Sequence, residues 1–311
     1  MRLGDCGKTN LHTYSDKEKW SLIRYLDTGS ITEGRIDEIQ TLYPGVDKIP
    51  SRARRKASVG DILFSTVRPN QKHYGIIEAG TENLLVSTGF TVVTVDTTIA
   101  DPYFIYYYLT QSSVIESLQA IAEQSTSTYP SIKPSDIEDI ELDLPELETQ
   151  KKIGSTLRML DRKIALNEEI NDNLYAQAKA IFDNHFINID AIPAGWRKGN
   201  LLDIANYLNG LAMQKFRPQG HEIGLPVLKI KELRQGSCDD SSELCSLSIK
   251  PEYIIHNGDV VFSWSGSLLV DIWCGGTCGL NQHLFKVTSD VYDKWFYYLW
   301  TAHHLARFIA R

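Results

Sequence analysis

Apolar side chains recur every three or four residues through the middle of the chain. After Pro145 no further proline occurs before Phe186, and Gly154 is the one glycine in that stretch. This periodicity predicts a single helix over residues 145–186. Roughly 40 residues at ~1.5 Å each make a helix about 60 Å long, the longest element that the sequence predicts.

The apolar positions of this helix are spaced alternately four and three residues apart, like the a and d positions of a coiled coil. They predict that the helix packs lengthwise against another helix, with two asparagines fixing the register. A single amphipathic helix that packs only on its own domains is the alternative. The predicted helix–helix interface comprises Ile153, Leu157, Leu160, Ile164, Asn167, Asn171, Leu174 and Ile181, with Ala178 on the same seam.

Three short segments before this helix return after it in the same order. The run VGDILFS at 59–65 returns as NGDVVFS at 257–263, an offset of 198 residues. STGFTVV at 87–93 returns as NQHLFKV at 281–287, an offset of 194, and the aromatic run at 103–109 returns at 295–299. Because the offsets drift by only a few residues, the chain is predicted to be a tandem duplication.

Each copy is predicted to consist mostly of strands that follow Gly-Asp turns, such as residues 61–67 and 90–95, and to close with a helical stretch, 102–122 in the first copy. The predicted fold class is therefore α+β, with two β-rich domains in tandem separated by a long coiled-coil-forming helix. The predicted boundaries are 1–145 for the first domain, 146–187 for the central helix and 188–311 for the second domain.

Composition places the chain among ordinary globular proteins. It has 42% hydrophobic and 23% charged residues in 311, and no run reaches the roughly 18 apolar residues that a membrane span requires. The beginning of the chain lacks the apolar core of a secretion signal, and the five cysteines are an odd number, so reduced thiols and a cytoplasmic location are expected. The spacings of Cys238, Cys245, Cys274 and Cys278 match zinc sites only loosely, and no metal site is predicted.

The charge is unevenly distributed along the chain. A net charge of −7 is unfavourable for a protein that binds nucleic acid, because phosphate contacts come mainly from Lys and Arg. However, residues 48–56 form a basic run, and acidic residues are concentrated at 138–148. This asymmetry allows a basic face on an acidic protein, although a solvated loop is the alternative interpretation of the run.

The order of these elements resembles the specificity subunit of type I restriction-modification enzymes. The resemblance rests on STSTYPSIKPSDI at 125–137 and PELETQKKI at 145–153, which stand where that family ends a target recognition domain and begins its conserved helix. The segments STVRPN at 65–70 and STGF at 87–90 agree as well, so the likeness covers nearly the whole chain.

Two departures from the family pattern stand out. The glycine that usually precedes Ser-Thr is missing near residue 124, so the local turn is expected to differ. Arg311 corresponds to about Ile121 of the first copy, so the second domain is expected to be truncated, without the C-terminal conserved helix of the family. In the family that helix packs antiparallel on the central one, and self-association through the central helix is therefore predicted.

The resemblance implies a non-catalytic subunit that binds double-stranded DNA at a bipartite site, one half per domain, with different half-sites because the copies have diverged. Methyltransferase subunits and a restriction-motor subunit are the implied partners. S-adenosylmethionine and ATP are expected on those partners, and no cofactor is expected on this chain. A membrane partner is not expected.

Side chains that suit base or phosphate contacts cluster near the repeated strands. Each has a non-functional alternative as a surface charge or a turn-stabilising amide, and for Trp264 and His283 the alternative is a buried or half-buried ring. The predicted DNA-binding residues are Arg52, Arg54, Arg55, Lys56, Arg68, Asn70, Gln71 and Lys72 in the first copy and Lys215, Arg217, Lys229, Lys231, Trp264, Asn281, Gln282 and His283 in the second.

The sequence lacks three kinds of catalytic motif, and an enzyme is therefore not predicted. The sequence contains no Asn/Asp-Pro-Pro-Tyr motif of amino-methyltransferases, no phosphate-binding loop of the form GxxxxGK[ST] and no compact Asp, Glu and Lys cluster typical of nucleases. The competing function is a protein-interaction scaffold in which two β-rich domains and a coiled-coil helix bind other proteins.

Overall fold

The computed structural model describes residues 1–125 and 129–309. The chain divides into two compact units, Met1–Ile170 and the chain from Asn171 onward. Residues 126–128, within the Ser-Thr motif of the predicted recognition domain, and residues 310–311 at the end of the second copy lie outside the described residues.

The first unit is built from two four-stranded sheets and a small two-stranded sheet. Its strands are β1 (Gly7–Thr9), β2 (Ile23–Leu26), β3 (Ile31–Thr32), β4 (Arg35–Ile36), β5 (Gln40–Leu42), β6 (Ala53–Lys56), β7 (Ile62–Ser65), β8 (Tyr74–Ile76), β9 (Leu84–Ser87) and β10 (Phe90–Val95). One sheet has the order β1-β10-β7-β8 and is antiparallel, and the other has the order β5-β2-β9-β6, with a parallel pair β2–β9 at its centre.

The second unit repeats this arrangement. Its strands are β11 (Asn206–Asn209), β12 (Leu225–Leu228), β13 (Leu244–Cys245), β14 (Ile254–Ile255), β15 (Val260–Ser263), β16 (Leu269–Ile272), β17 (Cys278–Leu280) and β18 (Leu284–Thr288). The antiparallel order β11-β18-β15-β16 matches the first sheet of the first unit, and β13-β12-β17-β14, with parallel β12–β17, matches the second. The two β-rich regions therefore share one strand order, as a tandem duplication requires.

The repeated Gly-Asp turn has the same geometry in both copies. Gly60 and Gly258 have φ of 89° and 90°, in the left-handed region where a side chain is strained. The carboxylate of the next residue accepts a 2.8 Å hydrogen bond from a backbone amide three residues before it, Ser58 for Asp61 and His256 for Asp259. Local turn chemistry thus explains why this motif appears twice.

Apolar residues of the two sheets pack against each other in each unit. In the first, Leu26 and Val86 of the mixed sheet meet Leu63 and Phe90 of the antiparallel sheet. In the second unit the same roles are taken by Leu228, Leu280, Val261 and Leu284.

The helices are α1 (Leu3–Cys6), α2 (Pro102–Leu109), α3 (Ser112–Glu123), α4 (Pro134–Glu138), α5 (Leu147–Phe182), α6 (Ile230–Gln235) and α7 (Lys294–Ile309).

The predicted central helix is present as α5, so the fold class predicted from the sequence is confirmed. It has 36 residues and ends in a π-helical turn at Asp183–Ile187. Gly154 is the point at which α5 meets α2, because a Cβ there would lie 2.9 Å from the backbone nitrogen of Phe104. The predicted helical stretch at 102–122 is two helices, broken between Leu109 and Ser112.

One side of α5 carries apolar side chains that face solvent. Ile153 is 39% exposed, and Leu160, Ile164, Leu174 and Ile181 are 53–61% exposed. Asn167 and Asn171 are exposed between them. The seam predicted from the heptad pattern therefore lies outside the cores of both β-rich units.

In the described part of the chain, no helix combines the length and hydropathy needed to cross a membrane.

Candidate nucleic-acid interface

In each β-rich unit, one turn carries the chain from the mixed sheet to the antiparallel sheet. In the first unit this is Thr88–Gly89 between β9 and β10, and the amide of Thr66, just after β7, donates to the carbonyl of Gly89 at 2.8 Å. In the second unit the corresponding turn is residues 281–283, between β17 and β18. We call this turn and its flanking side chains the sheet junction.

Arg52 and Arg55 lie at the sheet junction of the first unit. The amide of Thr88 donates to the carbonyl of Arg52 at 2.8 Å, and Nη2 of Arg55 donates to the carbonyl of Thr88 at 3.4 Å. Arg55 is half-buried, and this burial lowers the pKa of its guanidinium group. Its Nε and Nη1 are shielded from solvent and make no hydrogen bond to the described residues. The exposed Arg52 is therefore the better placed of the two to contact a ligand.

A carboxylate also lies at this junction and was not predicted from the sequence. Asp27 follows β2 and accepts a hydrogen bond of 3.0 Å from the Tyr25 hydroxyl. Partial burial acts to raise the pKa of Asp27, but hydrogen bonds from Thr28, Tyr25 and Ser87 and the charge of Arg52 outweigh it, so the pKa lies below its usual value. The first junction therefore has an ionised acid within the electrostatic influence of an arginine.

The remaining residues of the basic run lie beside an aromatic ring. Nζ of Lys56 lies 5.1 Å from the centre of the Trp20 ring and 2.5 Å from a carboxylate oxygen of Glu18. Arg54 and Trp20 line one open cavity of about 480 Å³. Of the predicted run, the structure thus brings Arg52 and Arg55 to the junction and places Arg54 and Lys56 next to Trp20.

The predicted residues after β7 form a tight, exposed loop. Arg68 and Lys72 have φ of 49° and 57°, and Arg68 stacks over the Tyr129 ring at 5.2 Å. Lys72 pairs with Glu33, while the side chains of Asn70 and Gln71 are exposed. Because this loop begins at Thr66, which bonds to Gly89, it starts at the sheet junction.

In the second unit, an open cavity of about 500 Å³ lies at the sheet junction. Six of the eight residues predicted for this copy line it, together with Gln214, Ile230 and Glu243, which were not predicted. Lys215 is adjacent to Gln214 in the chain. The six predicted lining residues are Arg217, Lys229, Lys231, Asn281, Gln282 and His283.

Glu243 lies between two cations of this cavity. Its Oε2 is 2.9 Å from Nη2 of Arg217, and its Oε1 is 2.7 Å from Nζ of Lys229. The hydrogen bond from Lys229 is the main cause that holds the pKa of Glu243 below its ordinary value. Nothing in the sequence marked this residue, since its partners are 14 and 26 positions away along the chain.

Trp264 is exposed, so the alternative interpretation of a buried ring is wrong. Its side chain is 44% exposed, and the ring lies 6.0 Å from His283 and 6.3 Å from Phe285 between ring centres. His283 is exposed as well, with Nδ1 3.2 Å from the Ser265 hydroxyl. An accessible aromatic ring thus flanks the polar cavity.

The cysteines form no metal centre in the part of the chain that the structure describes. All five are free thiols, and Cys6, Cys245 and Cys278 are buried. Burial is the main cause that raises the pKa of the Cys278 thiol. Over residues 1–125 and 129–309, no three His, Cys, Asp or Glu side chains are arranged to hold a metal ion.

Two β-rich units of one topology, each with polar side chains at its sheet junction and with a long helix leading from the first, define a duplicated two-domain architecture. Residues 52–176 match the family model described as "Type I restriction modification DNA specificity domain". The resemblance inferred from the sequence is therefore confirmed over these residues.

Two similar proteins are named as specificity subunits of type I restriction enzymes. The chain is 30% identical over 192 residues to the type I restriction enzyme HindI specificity subunit of Haemophilus influenzae, covering 62% of this chain and 41% of that one. It is 24% identical over 275 residues to the MjaIX specificity subunit of Methanocaldococcus jannaschii, covering 81% of this chain and 61% of that one. The chain thus matches less than two thirds of the length of either relative.

The fold is similar to a solved structure. The crystal structure of a type I restriction-modification system S subunit from M. genitalium matches with a TM-score of 0.55 and 15% identity, over 100% of this chain and 78% of that chain. At that identity the likeness supports the shared fold alone.

Proposed function

We propose that this chain is the non-catalytic, sequence-reading subunit of a type I restriction-modification system. Each β-rich domain binds one half of a bipartite site on double-stranded DNA. Methyltransferase and restriction-motor subunits, which carry S-adenosylmethionine and ATP, are directed to that site by this chain. The observation that carries the proposal is the convergence of Arg217, Lys229, Lys231, Asn281 and Gln282 on one open cavity.

The chemistry of this cavity suits a DNA groove. Lysine and arginine side chains contact phosphates, while arginine and amide side chains read base edges. Both kinds are present at the second junction, and Arg52 and Arg68 offer the same chemistry near the first. Divergent side chains at the two junctions support different half-sites.

The proposal is tested by fluorescence anisotropy with a random-sequence duplex over a salt series. Phosphate contacts predict that log K falls linearly with log salt, by about 0.9 per contact, and that Lys229→Ala reduces this slope. Lys250→Ala, which removes the same charge from an exposed pair with Glu252, is the matched control. Absence of binding even with methyltransferase subunits present would favour the protein-interaction scaffold.

We further propose that the exposed seam of α5 pairs with α5 of a second copy of this chain in antiparallel orientation. Residues 147–164 contain five basic and two acidic side chains, whereas residues 165–182 contain one basic and three acidic ones. Antiparallel pairing places opposite charges together, and it places Asn167 and Asn171 close to the two-fold axis. Parallel pairing would oppose like charges.

This pairing predicts self-association of the purified chain. Leu160→Lys with Ile164→Lys should abolish it, because two charges would enter the seam, while both β-rich domains stay folded. Ser155→Lys with Asn173→Lys adds the same charge at exposed positions off the seam and should leave the dimer intact. Light scattering after size exclusion over a concentration series is the measurement. A wild-type monomer at tens of micromolar, or a dimer indifferent to the first pair of substitutions, contradicts the proposal.

A further inference from the structure

The cavity of the second sheet junction contains an acidic side chain, although phosphate binding alone would favour only basic side chains. Glu243 is the one carboxylate among its lining residues in the described chain. Its backbone is held in the mixed sheet, because its carbonyl accepts a 2.7 Å hydrogen bond from the amide of Val227 in β12. Glu243 therefore lies at the edge of the mixed sheet, directly before β13, with its backbone fixed by the sheet.

Two cations fix the orientation of this carboxylate. Each oxygen accepts from one cation, Arg217 at 2.9 Å and Lys229 at 2.7 Å, and the Glu243 side chain remains 39% exposed. A carboxylate oxygen has two lone pairs, so each oxygen retains one direction for a further donor. Exposed ion pairs contribute little to stability, so this arrangement is not explained by folding alone.

The neighbouring groups are also held in place. Asn281 is 7% exposed, and its side-chain oxygen accepts from the amide of His283 at 3.2 Å. One of the two lone pairs of its amide oxygen is therefore already used within the protein. Glu243 is left as the group in this cavity that can only accept a hydrogen bond.

The edges of the bases decide which partner suits such a group. In the major groove only the amino groups of cytosine and adenine donate, while guanine and the thymine carbonyl offer acceptors that a carboxylate repels. Adenine presents its donor beside the N7 acceptor, a pattern that amide side chains match with two hydrogen bonds. The cytosine edge presents the N4 amino group without an adjacent acceptor, so it fits a carboxylate better.

We infer that Glu243 is the base-reading acceptor of the second domain and takes a hydrogen bond from the N4 amino group of a cytosine in the half-site. The inference rests on the proposed function. It also distinguishes the two domains, because the corresponding place in β5, opposite Tyr25 in the sheet, is occupied by Gln40. An amide there has a donor as well as an acceptor, so the first domain is not restricted to cytosine.

The rival role for Glu243 is purely electrostatic. In that role its carboxylate orients Arg217 and Lys229 and partly neutralises their positive charge. The two roles differ for the isosteric change Glu243→Gln. Loss of charge alone raises affinity for every sequence to the same extent, whereas loss of a base contact changes discrimination at one position. Glu252→Gln removes the same charge from an exposed pair outside the cavity and is the matched control.

The experiment is selection of a randomised duplex library by the full chain, followed by affinity measurements on the selected site. Wild type and Glu252→Gln are expected to require cytosine at one position that Glu243→Gln no longer specifies. For Glu243→Gln, the preference for the cytosine-containing site over sites with another base at that position should fall by about 5- to 150-fold. Thermal unfolding checks that each variant is folded.

The outcomes separate the inference from the proposed function. A wild-type motif that Glu243→Gln leaves unchanged, or a uniform change of affinity for all sequences, overturns the role of Glu243 alone. A wild-type chain that enriches no sequence overturns the proposed function and the inference together.

Discussion

The two sheet junctions share a framework and differ in almost every polar side chain. The residue after the first parallel strand is Asp27 in one unit and Lys229 in the other, and Gly89 corresponds to His283. Thr66 after β7 corresponds to the exposed Trp264 after β15. Buried apolar residues fix the strand order in both, while the turn positions are free to change. A duplicated fold can thus acquire two specificities without altering its core.

The long helix also contacts the two units in different ways. In the first, Arg158 and Arg162 pair with Glu78 at 2.9 and 3.3 Å, and the hydroxyl of Tyr107 donates to Asp161 at 2.6 Å. In the second unit, the end of the helix packs into an aromatic cluster of Phe182, Phe186, Trp196, Trp295, Phe296 and Trp300. One contact is ionic and therefore sensitive to pH and salt, and the other is apolar.

The largest expected effect concerns the shared framework. Phe64 in β7 is 1% exposed and stacks on Tyr74 at 5.9 Å, whereas its counterpart Phe262 is half-buried and stacks on Phe285 at the same distance. Phe64→Ala should lower the free energy of unfolding of its domain by about 3 to 5 kcal/mol, and Phe262→Ala should cost less. Urea unfolding of the two variants is the measurement. Equal losses would show that the two cores are equally dependent on this ring.

A smaller effect is expected at the first junction. If Arg68 reads a base, Arg68→Ala should weaken binding by about 1 to 3 kcal/mol and relax one position in one half-site, leaving the other half unchanged. Lys8→Ala removes the same charge from β1 and serves as the control. Anisotropy with duplexes altered in either half distinguishes the outcomes. Uniform weakening for all sequences would instead identify Arg68 as a phosphate contact.

The smallest expected effect concerns the ionic helix contact of the first unit. Partial burial acts to raise the pKa of Glu78, but Arg158 and Arg162 outweigh it, so this pKa lies below the ordinary 4.5. The pair therefore stabilises the fold above pH 4.5, and its contribution is lost as the pH falls through the lower folded-state pKa. Glu78→Gln should cost at most about 1 kcal/mol at pH 7, because these side chains are partly exposed.

Unfolding of wild type and Glu78→Gln at pH 7 and pH 3 checks this expectation. The difference between them should shrink at the lower pH and at high salt. A Phe182→Ala variant provides the contrast from the second unit, since an aromatic contact should lose the same free energy at both pH values. A Glu78 effect that does not change with pH would show that packing, and not charge, carries this contact.

Repeated local patterns made much of the fold predictable. Residues 90–95 form a strand as predicted, and the predicted strand at 61–67 is β7 (Ile62–Ser65). The central helix was predicted within a few residues, because its spacing continues for many turns. The break between α2 and α3 was missed, since the helical spacing of Phe104, Tyr108, Ile115 and Leu118 runs across it.

The candidate site was predictable only in part. Basic and amide residues next to the repeated strands were visible in the sequence, and six of those chosen in the second copy line one cavity. Asp27 and Glu243 were missed because their roles depend on partners that only the folded sheets bring close. Arg54 and Lys56 were grouped with Arg52 by sequence proximity, whereas the structure places them beside Trp20.

The central claim is that each domain reads its own half of one bipartite site. Selection of random duplexes by the full chain, repeated with Arg68→Ala and with Trp264→Ala, tests it most directly. The selected duplexes should contain two specified sequence blocks separated by a gap of fixed length and no sequence preference. Each variant should lose sequence preference in a different block. A single continuous block, or a loss of sequence preference at the same positions in both variants, would contradict the claim.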